Sequence, residues 1–332
     1  MKYRKLGSTG ILVSEVSCGG IPIQKLNEKE ANKIVDAMFE KGINFIDTAR
    51  GYTNSEELFG SALKGRREKF YLATKSMART YEAMKKDIDI SLKNLQTEYI
   101  DLYQMHNVKL NEDVSGAMLA LKEAKEKGKI KHIGITSHSK ESIEKSLENE
   151  NIETIQFPYN FLELDAESIF ERAKELGKGV IVMKPLAGGV IDNAKVALKY
   201  ILNNKNVSCA IPGMESDEQI YENASINIYD LSLEEEKYIL EMKESLEKDF
   251  CHRCGYCLPC SKGIDIPSCF MFYGYYKRYG LSEWASTRYN AMKTKASECI
   301  ECGLCEQKCP YNLKIIKKLK EVVEVLENER NE

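Results

Sequence analysis

From about residue 12 to residue 245, short apolar stretches alternate with longer, charged stretches of helical periodicity. The apolar stretches are rich in Val, Ile, Phe and Tyr, and several are almost continuously apolar, as parallel strands covered on both faces should be. The predicted strands are Val13–Gly19, Asn44–Ala49, Phe70–Lys75, Asp101–His106, His132–Ser137, Thr154–Tyr159, Val180–Pro185 and Cys209–Pro212. Eight strand–helix units in succession favour a (β/α)8 TIM barrel over an open doubly wound sheet.

Capping residues mark the ends of several predicted helices. Ser139 precedes the helical stretch KESIEKSLEN, and its side chain can accept a hydrogen bond from the first turn. Gly42 and Gly128 follow two other helices, where a left-handed residue is needed and glycine adopts it most readily. The absence of a G-x-G-x-x-G motif after the first strand also disfavours a Rossmann domain.

The pattern changes beyond Phe250, where closely spaced cysteines, an aromatic run and a charged terminal helix, Leu313–Asn328, replace the strand–helix alternation. A TIM barrel takes about 250 residues, and the chain has 332. We therefore expect a barrel over residues 1–248 and a small, mostly α-helical domain over residues 249–332.

Charge and composition exclude some classes of partner. The net charge of −3 is spread over both signs, so no basic surface for nucleic acid is expected. The polar N-terminus, MKYRKLGSTG, lacks the apolar core of a signal peptide, and no apolar run is long enough to span a membrane. These features predict a cytoplasmic protein, in which nine of eleven cysteines between Cys251 and Cys309 indicate metal binding rather than disulfides.

Four polar residues follow apolar runs at the C-terminal ends of predicted strands, which is where TIM barrels carry their active sites. Asp47 ends the second strand, Tyr52 lies in the loop after it, Lys75 ends the third and His106 ends the fourth. A tyrosine hydroxyl normally has a pKa near 10, and a neighbouring ammonium would lower it. Asp47 would hold Lys75 charged, and His106 could orient a substrate oxygen. The four residues therefore predict carbonyl chemistry with Tyr52 as the proton donor.

The cysteines fall into two runs. Cys251, Cys254, Cys257 and Cys260 are separated by two residues each, whereas Cys299, Cys302, Cys305 and Cys309 follow the pattern C-x2-C-x2-C-x3-C and precede a proline. The second pattern is typical of bacterial ferredoxins, in which the last cysteine of each run ligates the other cluster. It predicts two [4Fe-4S] clusters.

This ligation pattern assigns each cluster one cysteine from the opposite run. One cluster would be held by Cys251, Cys254, Cys257 and Cys309, and the other by Cys299, Cys302, Cys305 and Cys260. Two alternatives remain open at this level: Cys269 could replace Cys260, whose spacing is unusual, and eight thiolates could instead hold two zinc ions.

The segments NFIDTARGY, FYLATK and DLYQMH resemble the catalytic segments of the aldo/keto reductase family, and RKLGSTGILVS resembles its N-terminal hairpin. CHRCGYCLPC and CIECGLCEQKCP resemble the C-terminal ferredoxin-like extension of a subset of that family. The resemblance implies a catalytic tetrad of Asp47, Tyr52, Lys75 and His106, hydride transfer with NAD(P)H and a small carbonyl or alcohol substrate.

The resemblance also implies a dinucleotide site at the barrel mouth. TIM barrels often bind phosphate in the loops after the seventh and eighth strands, and in the family Gln156 bonds the carboxamide while Gln219 and Asn223 lie beside adenine. The residues expected to bind the dinucleotide are Gly20, Thr136, Ser137, Gln156, Lys184, Pro185, Leu186, Gly188, Gly213, Met214, Gln219 and Asn223.

Three positions depart from the family pattern. Met183 stands where many members carry an aromatic residue against nicotinamide, and Thr136 and Ser137 replace a Ser-Asn pair. Met214 and Glu215 stand where many members carry an arginine for the 2′-phosphate of NADP. The choice between NAD and NADP is therefore open.

The two predicted cofactors differ in how they move electrons. Nicotinamide passes a hydride pair, whereas a [4Fe-4S] cluster passes single electrons. Either the clusters are structural, or a flavin binds in the barrel, or a ferredoxin or other redox protein is the physiological partner. The alternative function is an iron–sulfur electron-transfer or sensing protein that uses the barrel as a scaffold.

Overall fold

A computed structural model describes residues 1–164, 166–246 and 250–328, which form two compact units. The first unit comprises Met1–Ala187 and Asn193–Leu231, and the second comprises Gly188–Asp192 and the residues from Ser232 onward. The predicted division between residues 248 and 249 falls on residues outside the described ranges, so it stays a prediction.

The first unit begins with an antiparallel hairpin of β1 (Tyr3–Lys5) and β2 (Leu12–Ser14). A parallel sheet follows, in which eight strands are neighbours in chain order. They are β3 (Cys18–Gly19), β4 (Phe45–Asp47), β5 (Tyr71–Ser76), β6 (Ile100–Met105), β7 (Ile130–Thr136), β8 (Thr154–Pro158), β9 (Gly179–Met183) and β10 (Cys209–Ala210). Parallel bridges from Val16 to Ala210 and from Gly19 to Gly213 join the two ends of the sheet. The predicted (β/α)8 barrel is confirmed.

Helices connect the strands of this unit. They are α1 (Glu28–Lys41), α2 (Ser55–Ala62), α3 (Tyr81–Asn94), α4 (Ser115–Glu126), α5 (Lys140–Leu147), α6 (Glu167–Glu175), α7 (Ala194–Asn203) and α8 (Asp217–Ala224). The Ser139 side chain accepts a hydrogen bond from the Ser142 amide at the start of α5, as predicted. Gly42 and Gly128 follow α1 and α4 with φ of 75° and 73°, so both predicted helix ends are confirmed.

Two apolar regions stabilise the barrel. The larger one lies between the strands and the surrounding helices and includes Ile46, Phe59 and Tyr103. The smaller one fills the barrel interior with Phe45, Leu102 and other inward residues, and the hairpin contributes Leu6, Ile11 and Val13 to it. Because side chains alternate along a strand, neighbouring residues pack into different apolar regions.

The second unit is helical. Its helices are α9 (Leu233–Leu246), α10 (Ile266–Lys277), α11 (Ser282–Asn290), α12 (Leu304–Gln307) and α13 (Ile315–Val323), and one π-helical turn, Glu324–Asn328, continues α13. Its core contains Ile266, Phe270, Leu319 and Val322. Tyr289 is fully buried there, accepting a hydrogen bond from the Ala296 amide and donating one to Glu327.

Within the described ranges, no helix combines the length and the apolarity that crossing a membrane would need.

Glu153, just before β8, joins three parts of the first unit. Its carboxylate bonds the ring of His132 at 2.7 Å, the ammonium of Lys125 at 2.6 Å and the amide of Ile133 at 3.1 Å. Burial alone would raise the pKa of Glu153, but these three partners together lower it to about 2. The ionised carboxylate is therefore favoured by folding.

We expect Glu153→Gln to lower the free energy of unfolding by about 1–2 kcal/mol at pH 7. The pKa is depressed in the folded state, so this contribution is complete above the unfolded value near 4.3 and is lost as the pH falls toward 2. Unfolding of the anaerobic protein measured from pH 7 to pH 2.5 checks this. The exposed Glu150→Gln serves as the control, and a deficit that does not change with pH would contradict the expectation.

Candidate active site and cysteine cavities

A polar layer lies above the apolar filling of the barrel. Asp47 on β4, Lys75 on β5, Gln104 on β6 and Gln156 on β8 are each at most 2% exposed. Their positions follow from the two-residue period of a strand, since Phe45, Ala73 and Leu102 lie two positions before the first three and belong to the interior core. The barrel thus brings together polar residues from four strands.

Asp47 and Lys75 form a buried ion pair. The Lys75 Nζ lies 2.5 Å from the Asp47 Oδ2 and 2.8 Å from the Thr48 carbonyl oxygen. Burial lowers the pKa of Lys75 and raises the pKa of Asp47, and in each case the opposite charge of the partner opposes the shift. Gln104 and Gln156 also stabilise the carboxylate by hydrogen bonds.

Tyr52 lies beside this pair. The loop that carries it continues the pairing of β4, because the amides of Thr48 and Arg50 donate to carbonyl oxygens of β5 at 2.8 and 3.0 Å. Tyr52 itself is 9% exposed, and the Lys75 Nζ lies 5.0 Å from its ring centroid. A cation at this distance favours the tyrosinate over the phenol.

His106 completes the group at the end of β6. Its ring stands at 89° to that of Tyr52, with the centroids 6.1 Å apart. Its backbone is held on both sides, since its amide donates to Ser76 and its carbonyl oxygen accepts from Arg79 at 2.8 Å. All four residues predicted from strand ends therefore meet at one place.

A second buried charged group lies behind β5 and was missed by sequence reasoning. Glu56 on α2 is 1% exposed and accepts hydrogen bonds from Arg50 at 2.7 Å and from Thr74 at 2.8 Å. Thr74 faces away from the barrel interior, since it adjoins the inward residue Lys75. A glutamate in the first turn of a helix is commonly exposed, so its burial had no signal in the sequence.

The residues expected to bind nicotinamide and its ribose have different surroundings. Gln156 belongs to the polar layer. Thr136 accepts from the amide of Asn107 at 2.8 Å, and Ser137 donates to the carbonyl oxygen of Val108 at 2.7 Å. The amide of Gly20 donates to the carbonyl oxygen of Asp47 at 2.8 Å, which places this glycine next to the tetrad.

The loop after β9 holds four of the expected residues, Lys184, Pro185, Leu186 and Gly188. Lys184 has a left-handed φ of 54°, and its carbonyl oxygen accepts from the Asn160 side chain and from the Ala187 amide. Gly188 is grouped with the second unit, where its carbonyl oxygen accepts from the Arg278 guanidinium at 2.8 Å. Gly188 and the other three thus belong to different compact units.

The loop after β10 and helix α8 hold the remaining four. Gly213 approaches Pro22 so closely that a Cβ would lie 2.7 Å from that ring, and Met214 is fully buried. The Gln219 side chain accepts from the amide of Glu215 at 2.8 Å, and the Glu215 carboxylate itself pairs with Lys25. The Oδ1 of Asn223 is buried, and none of the described residues bonds to it.

In the second unit, the two cysteine runs surround two cavities. One is lined by Cys251, Cys254, Cys257 and Cys309, and the other by Cys257, Cys260, Cys299, Cys302 and Cys305. Each cavity thus takes cysteines from both runs. Cys269 lines neither cavity and lies fully buried in the apolar core of α10.

The backbone has a left-handed conformation at equivalent positions of the two cysteine runs. Arg253 and Gly255 have φ of 58° and 84°, and Glu301 and Gly303 have φ of 54° and 76°. Such turns let successive cysteines face one cavity.

Comparison with known proteins agrees with the barrel fold. The sequence pattern of the aldo/keto reductase family matches residues 16–196, more than half of the chain. The chain belongs to the aldo/keto reductase family.

Other aldo/keto reductases and related oxidoreductases are similar over most of the barrel. Uncharacterized oxidoreductase YqkF of Bacillus subtilis is 32% identical over 58% of this chain and 67% of its own length. L-galactose dehydrogenase of Arabidopsis thaliana is 28% identical over 68% of this chain and 88% of its own length. The holo form of aldo-keto reductase AKR11C1 from Bacillus halodurans superposes with a TM-score of 0.66 at 29% identity, over 73% of this chain and 96% of that one.

This aldo/keto reductase also carries a C-terminal iron–sulfur domain. The pattern of the 4Fe-4S dicluster domain matches residues 250–314, which include both cysteine runs. The resemblance of the chain to the ferredoxin-bearing subset of the family is thereby confirmed.

The buried ion pair of this reductase predicts how its barrel responds to mutation. We expect Asp47→Leu to lower the free energy of unfolding by about 3–5 kcal/mol, because it leaves the Lys75 ammonium buried without a counter-ion. This loss of stability should become smaller as the pH rises. The buried Lys75 of the folded variant releases its proton, and the free energy needed to release it falls with increasing pH.

Denaturant unfolding of Asp47→Leu and of the double variant Asp47→Leu/Lys75→Met measures this effect. The double variant should regain most of the loss, because neither charge remains. An equal loss in the single and double variants would show that the charge of Lys75 does not determine the cost.

Proposed function

We propose that the protein catalyses hydride transfer between NAD(P)H and a small carbonyl or alcohol, with Tyr52 as the general acid. The observation that carries this proposal is the buried Asp47–Lys75 pair, whose ammonium lies 5.0 Å from the ring centroid of Tyr52. Burying two charges is costly, and a barrel that only served as a scaffold would be stable without them.

The chemistry of the four residues follows from this arrangement. The Lys75 ammonium stabilises the tyrosinate that remains when Tyr52 gives its proton to the substrate oxygen. The charge of Asp47 favours the protonated form of Lys75 and so opposes burial, which lowers the pKa of that amine. His106, edge-on to Tyr52, can donate a hydrogen bond to the same substrate oxygen and hold it near the acid.

The residues around the barrel mouth fit a dinucleotide. Asn223 offers a buried acceptor oxygen to which no described residue bonds, which suits the amino group of adenine. Gln156 offers an amide in the polar layer, which suits the carboxamide. When bound, reduced nicotinamide supplies the hydride for the carbonyl carbon. Glu215, which forms an ion pair with Lys25, places a carboxylate where many relatives would bind the 2′-phosphate of NADP.

We propose that two [4Fe-4S] clusters occupy the second unit with ligands shared between the runs. The support is that each cavity combines cysteines from both runs and that Cys260, rather than Cys269, joins Cys299, Cys302 and Cys305. Cys254 and Cys302 are exposed. One edge of each cavity therefore faces solvent, as electron exchange with a ferredoxin or another redox partner would require.

The proton donor is tested with Tyr52→Phe. Reduction of 4-nitrobenzaldehyde by NADH under anaerobic conditions should fall at least about 100-fold in kcat/KM, because general acid catalysis typically contributes that much. The dissociation constant for NADH should change little, since only one hydroxyl is removed. Tyr3→Phe, at an exposed tyrosine of the hairpin, serves as the control. Turnover in Tyr52→Phe equal to that of the wild type would exclude Tyr52 as the acid.

The cluster ligands are tested with Cys260→Ser and Cys269→Ser. The reconstituted wild-type protein should hold about eight irons and eight sulfides per chain. Cys260→Ser should lose close to half of them because it removes a ligand, whereas Cys269→Ser should keep them because that thiol packs in the core. Iron analysis with an electron paramagnetic resonance spectrum of the reduced protein measures both. Loss in Cys269→Ser with both clusters intact in Cys260→Ser would reverse the assignment.

A further inference from the structure

Gln104 lies between two groups of the proposed site. Its Nε2 is 3.1 Å from the Asp47 Oδ1 and 2.9 Å from the Gln156 Oε1, and the whole side chain is buried. One amide group thus contacts both the carboxylate that holds Lys75 and the side chain expected to meet the nicotinamide carboxamide.

The charge of Asp47 sets the orientation of this amide. A carboxylate oxygen only accepts hydrogen bonds, so Gln104 must turn its NH2 group, and not its carbonyl oxygen, toward Asp47. The second hydrogen of the same NH2 group then meets the oxygen of Gln156. The opposite orientation would place the Gln104 oxygen against two other oxygens. The observed one leaves that oxygen buried with no hydrogen bond from any described residue.

The orientation passes on to Gln156. Because its oxygen accepts from Gln104, its NH2 group faces the other way. Gln156 is therefore held at the oxygen end of its amide. A nicotinamide carboxamide has a donor end and an acceptor end as well, so a fixed amide beside it would discriminate between the two faces of the ring.

The barrel makes room for this arrangement. At Gly134, on the neighbouring strand β7, a Cβ would lie 2.3 Å from the Thr154 Oγ1 and 3.0 Å from the Gln104 Cγ. A side chain at this position would force the Thr154 hydroxyl to move and would press on the Gln104 side chain.

We propose that Gln104 is a positioning residue. Through its hydrogen bonds to the Asp47 carboxylate and to Gln156, it fixes the orientation in which the Gln156 amide meets the nicotinamide carboxamide. One carboxylate then aligns both the proton donor, through Lys75, and the cofactor amide, through Gln104. This inference rests on the proposed function, because it assumes that nicotinamide binds beside Gln156.

The test compares two ligands that differ at the nicotinamide end. Gln104→Met has nearly the same shape but no amide, so its affinity for NADH should fall about 3- to 10-fold relative to its affinity for ADP-ribose, which lacks nicotinamide. The KM for NADH in 4-nitrobenzaldehyde reduction should rise by a similar factor. Leu102→Val, an inward substitution on the same strand within the apolar interior core, should leave the affinity ratio unchanged.

A double-mutant cycle isolates the connection between the two amides. Gln156→Met should lower the NADH to ADP-ribose affinity ratio, and adding Gln104→Met to it should lower the ratio little further, because Gln104 acts through Gln156. If Gln104→Met does not fold by circular dichroism, Gln104→Leu, which also lacks the amide donor, gives the same comparison.

The outcomes separate this inference from the proposed function. A wild-type protein that binds and oxidises NADH, with the same affinity ratio in Gln104→Met, would overturn this inference alone, as would additive losses in the cycle. A wild-type protein that binds neither NADH nor NADPH would overturn the proposed function and this inference with it.

Discussion

The ammonium of Lys75 and the carboxylate of Asp47 meet where neither has access to water, and the site of the barrel depends on that contact. Removing either charge from water costs several kcal/mol, which their mutual attraction offsets only if the remaining hydrogen-bonding groups are also satisfied. The barrel meets this condition with the Thr48 carbonyl oxygen on the ammonium and with Gln104 on the carboxylate. Tyr52, the proposed proton donor, would need beside it a cation that is held in this way.

The barrel can carry such a polar layer because it has apolar residues on both sides of its strands. The interior residues below the layer, including Phe45 and Leu102, exclude water from beneath the ion pair. The larger apolar region between the strands and helices provides most of the buried surface of this unit. Polar residues in one layer can therefore be arranged for chemistry while other residues stabilise the fold.

The second unit has a different basis of stability. Its apolar core is small, and several of its cysteines lie at the edge of that core. Small domains bury too little surface to be stable unaided, and ligand binding then contributes much of the folding free energy. The proposed clusters would therefore contribute to the stability of this unit.

Eight strands and the four tetrad residues could be predicted from the chain because continuous apolar runs and the polar residues that end them are local patterns. The predicted strands at Val13–Gly19 and Cys209–Pro212 are reduced to the two-residue strands β3 and β10, and isolated bridges such as that from Gly19 to Gly213 continue the pairing. Gln104 could have been placed inside the barrel, since it lies two residues before His106 on one strand. Its partner Asp47 is 57 residues away, and no local pattern connects the two. The sequence by itself determined the order of the elements, the polar residues at their ends and the spacing of the cysteines, because each depends on neighbours in the chain. Only the tertiary structure decided which amide faces the carboxylate and whether Cys260 or Cys269 lines the second cavity, because those contacts depend on strand register and on the folding of distant segments against each other.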